Sequence, residues 1–146
     1  MKSKTEIAVE KFAAGYNCAQ SVFYSFCDDF KFEKNTALKL ACGFGAGMGR
    51  NEEVCGAISG GIMVLGLKYG RGEKDGPDAK DLAYAKTREL MSQFARKHQT
   101  YICRELLNGC DLTTDAGQKQ FKANDLSNKV CKLCVQSVVE ILENIL

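Results

Sequence analysis

Eight cysteines in 146 residues are the part of this chain with the most chemistry in it. A thiol is a weak ligand and nucleophile, whereas the thiolate is strong as both. It forms most readily where unpaired amides and the positive end of a helix dipole lie close. Cys18, Cys55, Cys103 and Cys131 each follow a capping-type residue by one to four positions, which predicts a first helical turn around each of them. Lys97, His98 and Arg104 lie near Cys103, and Lys129 and Lys132 near Cys131, while Glu52 and Glu53 oppose ionisation of Cys55. The remaining thiols read differently. Cys27 and Cys42 fall at predicted helix ends, Cys110 follows Gly109 in a loop, and Cys134 faces the apolar side of the last helix. These four are expected to fill core or to be incidental, because a free cysteine packs as a small hydrophobe. Cys131 and Cys134 form a C-K-L-C pair, but no βαβ pattern surrounds it, and Val135 rather than His follows, so covalent c-type haem attachment is not supported.

Other motifs carry less chemistry. The series Gly43, Gly45, Gly47 and Gly49 breaks the G-x-G-x-x-G pattern at Met48 and at Arg50, and a predicted helix precedes it, so phosphate binding is not expected. A tight turn before Asn51 is the favoured reading, with donation of its amides to sulfur or another anion as the lesser one. Gly56 and Gly60 lie four apart and clear one helical stripe, which permits close approach of a neighbouring helix, a cofactor or another subunit. His98, the one histidine, reads as a solvated residue at a helix end.

The elements that must position these residues are helical. Apolar spacing predicts a first helix stopped by Gly15. A second runs from Cys18 to Cys27 behind Asn17 with Val22, Phe23 and Phe26 inward, and a short third through Ala41 is capped by Asn35 or Thr36. Asn51 is expected to open a helix over Val54 to Tyr69, apolar on most sides, with Glu52 and Glu53 in its first turn. After the Gly70 to Gly76 loop, Pro77 starts a long helix to about Lys97. Thr100 is expected to cap a short helix through Leu107, a piece covers Asp115 to Lys122, and Ser127 caps the last, Asn128 to Leu146. No segment alternates cleanly enough for a strand. The expectation is one all-α domain over residues 1–146, a bundle of about six or seven helices with the glycine-rich apolar helix at its centre.

Composition narrows the function. The net charge of +2 comes with no basic block, which argues against nucleic acid. The longest apolar run, Val54 to Leu67, is short of the roughly 20 residues a membrane span needs. Met1 to Gly15 lacks an apolar signal core, so a cytoplasmic location is expected, where thiols at this density bind metal, exchange electrons or fill core.

G-Y-N-C ending at Cys18, C-G-A-I-S-G from Cys55 to Gly60, C-R-E-L from Cys103 and C-K-L-C-V from Cys131 together resemble the C_GCAxxG_C_C family of redox-active proteins, over nearly the whole chain. The resemblance implies an all-helical protein in which Cys18, Cys55, Cys103 and Cys131 form one site. The chain is also similar to the non-haem part of split-Soret cytochromes, where the corresponding cysteines hold an iron-sulfur cluster, although it lacks their haem motifs. The expected function is a redox protein whose four-cysteine site binds an iron-sulfur cluster, of the 2Fe-2S type, for electron transfer to an unnamed redox partner. Thiol-disulfide exchange without a metal, a structural zinc site on the same four ligands, and an interaction protein with buried free thiols remain as alternatives. A homodimer is compatible with each.

Overall fold

The computed structural model describes residues 1–146. It contains eight α-helices and no strand: α1 Lys4–Ala13, α2 Cys18–Phe26, α3 Lys34–Ala41, α4 Gly56–Tyr69, α5 Pro77–His98, α6 Cys103–Leu106, α7 Asp115–Ala123 and α8 Lys132–Ile145. The count stands against an expectation of about six or seven, and each helix falls on a segment where one was expected.

Local chemistry sets most boundaries. Asn17 accepts from the Gln20 amide while the Gln20 side chain accepts from the Asn17 amide, a reciprocal capping box that fixes Cys18 as the first residue of α2. Pro77 occupies the first turn of α5, and Thr114 caps α7 through the Gly117 amide. Three expected caps are corrected. Glu33, rather than Asn35 or Thr36, caps α3 by accepting both of their amides. Thr100 does not cap α6, since its hydroxyl accepts from the Ile102 amide and donates to Glu105, ahead of the helix. Ser127 does not cap the last helix either, because residues Ser127–Cys131 form a π-helical turn that runs directly into α8.

The largest departure lies between α3 and α4. Residues 46 to 50 are left-handed in succession, with φ of 52° at Ala46, 63° at Gly47, 70° at Met48, 64° at Gly49 and 68° at Arg50, and Glu52 is left-handed as well, at 59°. Such φ values cost roughly 1–2 kcal/mol at each non-glycine residue. Asn51 therefore does not open a helix. Residues 53 to 55 instead pair with 101 to 103, with the Cys55 amide donating to Tyr101 O (2.8 Å), the Cys103 amide to Glu53 O (2.7 Å) and an isolated antiparallel bridge between Val54 and Ile102. Glu52, expected in an exposed first turn, is buried: Oε1 accepts from the Leu112 amide and faces Arg104 Nε at 3.4 Å, and Oε2 has no partner.

Packing divides into two clusters. Twenty-three buried residues from α1 to α5 and α8 form the larger, including Phe26, Ile58, Leu65, Leu90, Phe94 and Leu142. Cys103, Leu107, Cys110 and Leu112 form the smaller. Gly60 faces the Ala19 carbonyl so closely that an added Cβ would lie 2.5 Å from the oxygen, so the clear stripe on α4 admits α2.

His98 is a clamp rather than a solvated end. Its ring stacks on Phe94 with centroids 4.4 Å apart, and Nε2 lies 2.8 Å from Ser137 Oγ on α8. Burial, then the charge of Lys97, lowers its pKa below the usual 6.5. A base whose folded pKa is depressed stabilises the fold when neutral, so its contribution is complete above the unfolded pKa and is lost as pH falls through the folded value. Melting temperature should accordingly fall between pH 7 and 5, and His98→Gln should flatten that slope in a thermal melt series.

Candidate functional site

The site begins where the two packing clusters meet. Four separate stretches of chain each bring thiols to this seam, and the reason differs at each. Cys18 is held by the capping box, and the nearby backbone amides of Ala46 and Ala19 favour its thiolate against burial. Cys55 precedes α4 at its N-cap without a side-chain cap hydrogen bond, and the nearby Ala57 and Ile58 amides favour its thiolate. Cys103 opens α6, and the backbone pairing of residues 53–55 with 101–103 sets it beside Cys55. Cys131 ends the π-helical turn and Cys134 follows within the first turn of α8.

These five thiols line one cavity of about 470 Å³. Cys18, Cys55, Cys103 and Cys134 are buried, and Cys131 is partly exposed. Gly56 forms part of the wall, where an added Cβ would overlap Cys18 Sγ; its bareness keeps the space open. Cys27, Cys42 and Cys110 do not line the cavity. Cys27 is buried and donates to Phe23 O, Cys110 is buried and donates to Gly117 O, and Cys42 is exposed.

Cys134, expected to pack as a hydrophobe, is 1% exposed and belongs to the larger packing cluster, and it also lines the cavity. The signal was the C-K-L-C spacing itself, since residues three apart on a helix share a face. The shared first-turn placement is corrected at Cys131, which lies at the end of a π-helical turn, a local irregularity frequent at functional sites.

The electrostatics also reverse an expectation. Cys55, which nearby acids were expected to keep protonated, is the thiol whose pKa is lowered, first by the hydrogen bond from Cys134 and then by the α4 amides, against the effect of burial. The acids do not interfere because Glu52 turns to Arg104 and Leu112. Cys18 is pushed up to about 11 by burial and by the Cys55 charge. Cys103 is pushed up to about 12 by burial and by Cys55 and Cys18. Cys131 is raised by burial and by Cys18, Cys55 and Cys103, while Cys134 is raised first as the donor to Cys55. Burial and mutual repulsion outweigh the helix dipole at Cys18, Cys103 and Cys131.

Cys55 is therefore the thiol of the set that ionises most readily, and ionising the others together calls for a cation. No three His, Cys, Asp or Glu side chains gather closely enough to hold a single metal ion. The sulfurs border a space rather than a point.

No helix is long and apolar enough to cross a membrane. No curated protein and no solved structure matches the chain. Residues 16–145 match the family described as "Putative redox-active protein (C_GCAxxG_C_C)", a span that begins just before Cys18 and includes all five cavity thiols. By that match and by the cysteines that carry it, the chain belongs to the C_GCAxxG_C_C family of redox-active proteins.

Proposed function

We propose that the protein transfers electrons through an iron-sulfur cluster, of the 2Fe-2S type, held in the thiol cavity by Cys18, Cys55, Cys103 and Cys131. The observation that carries this reading is the gathering of soft sulfur donors around one cavity of about 470 Å³ without a compact single-ion site. A closed zinc site needs four ligands about one ion, with Zn–S near 2.3 Å, and these sulfurs are not so gathered. Iron would supply both the electron exchange and the positive charge that lets buried, mutually repelling thiols ionise together. The chain's own contribution is to bury the sulfurs, to set the Ala46, Ala57 and Ile58 amides near them, and to exclude water with Phe12, Leu106 and Phe121. Sulfur hydrogen bonds and burial set a cluster's potential. In this reading α4 is the central helix on which the cavity is built, the whole chain acts as one domain, and the protein works in a reducing cytosol.

Anaerobic purification tests the proposal. The expected result is a brown protein with iron and acid-labile sulfide in equal amounts. A colourless protein with one zinc per chain, or with no metal, overturns it.

One observation favours a second reading, the presence of Cys55, whose pKa is lowered, and Cys134 on the wall of one cavity. In a metal-free protein the Cys55 thiolate would attack a disulfide RSSR, forming a mixed disulfide and releasing one RSH. Cys134 would then displace the second RSH, leaving a Cys55–Cys134 disulfide and a reduced substrate. Peptide mapping of colourless, oxidised protein would find that bond.

A further inference from the structure

The cavity has two cations on its lining and no acid. Its lining residues include Arg50 and Lys122 but no aspartate or glutamate, although the chain carries 18 acidic residues against 20 basic ones. Both cations are exposed, and neither takes part in any of the ion pairs of the molecule. They come from different elements: Arg50 ends the left-handed run and Lys122 lies in the last turn of α7. Most of the remaining wall is apolar, from Phe12, Leu106, Leu107, Leu112, Phe121 and Val130. Low-dielectric walls with charge of one sign focus the field on an incoming ion.

Their charge is not committed to the sulfurs. Neither is among the groups that shift the cavity thiols: Cys103 feels Glu52 and, less, Arg104, and Cys55 feels Cys134 and the α4 amides. Retaining Arg50 at φ 68° also holds strain at this edge of the cavity, a pattern that clusters at ligand clamps.

We propose that the entrance of the thiol cavity is an anion site, in which Arg50 and Lys122 receive the charged end of a small molecule bearing a carboxylate or oxoanion group as it approaches the sulfurs. The inference rests on the reading of this cavity as the redox site and names the class of small molecule that it admits. It holds whether the sulfurs carry a cluster or react as thiols.

Two alkylating agents of nearly equal size, iodoacetate with one negative charge and neutral iodoacetamide, test it on the reduced full-length chain after anaerobic chelation of metal, with helicity checked by circular dichroism. Peptide mass spectrometry gives the rate ratio of the two reagents at each thiol, so that access and thiolate fraction cancel. Cys42, exposed and outside the cavity, is the internal reference. The iodoacetate preference at the cavity thiols should exceed that at Cys42 about fivefold at low salt, the order expected for two cations attracting one anion through water. It should fall below about twofold near 1 M salt. Arg50→Gln and Lys122→Gln should each remove about half of the preference and the double variant all of it, while Arg50→Lys retains it. A ratio equal to that at Cys42, or a raised ratio that survives the double variant, overturns the proposal. Iron and sulfide are assayed before chelation on the same preparation, so failure of the cluster reading registers separately.

Discussion

Cys55→Ser should give a protein that is folded and has lost its iron, retaining less than about a tenth of the wild-type content. Stability is expected to survive because position 55 is the N-cap of α4, and serine is among the best residues there. Its hydroxyl is a better acceptor than sulfur for the first free amides of α4, which the Cys55 side chain leaves uncapped. What it cannot replace is the one cavity thiol whose pKa is lowered. Cys134→Ser is the informative companion. It removes the donor to Cys55 but none of the four proposed ligands, so iron should be largely kept under the cluster reading. If the Cys55–Cys134 pair is the working centre, both variants lose disulfide exchange alike. Iron, sulfide and reactive-thiol counts on the two variants, beside their melting temperatures, separate the cases.

Gly60→Ala should destabilise the protein by about 1–3 kcal/mol, the usual range for overpacking a tight contact. In a free helix the same change gains about 1 kcal/mol of propensity, so a measured loss reports the contact and not the backbone preference. The neighbour that must yield is the Ala19 carbonyl, part of the backbone of α2 and adjacent to Cys18, which makes partial loss of iron an expected companion. Gly66→Ala on the same helix is the control: its Cβ would meet nothing within 4 Å, and it should be neutral or stabilising by up to about 1 kcal/mol. Urea unfolding of both variants measures the difference.

Helices with a strong local signal were readable from the sequence. Asn17, Pro77 and the spacing of Val22, Phe23 and Phe26 each lead to the observed element, because capping and periodicity act within a few residues. Elements set by distant partners were not. Glutamates at 52 and 53 resemble a favourable first turn, yet the pairing of residues 53–55 with 101–103 decides the local conformation, across nearly fifty residues of chain. The site divides along the same line. Its four family-type cysteines were identified from their motifs, and the structure brings all four to one cavity. Cys134 packs in the core as its apolar stripe predicts, and its place on the cavity wall was not legible because a stripe and a wall have the same periodicity. The order of the thiol pKa values was missed because it depends on mutual distance and burial, neither of which spacing contains.

The left-handed run from Ala46 to Arg50 places a short piece of mirror-image helix in a chain of L-residues. A common route by which proteins gain stability, replacing a flexible glycine with alanine, is unfavourable at Gly47 and Gly49, where an L-side chain meets the wrong hand of backbone. D-amino acids would suit these positions, and the ribosome does not supply them. The segment that sets an amide near Cys18 and ends at Arg50 is thus a stretch where natural substitution and directed evolution have little room to improve folding, while chemical synthesis has a direct route.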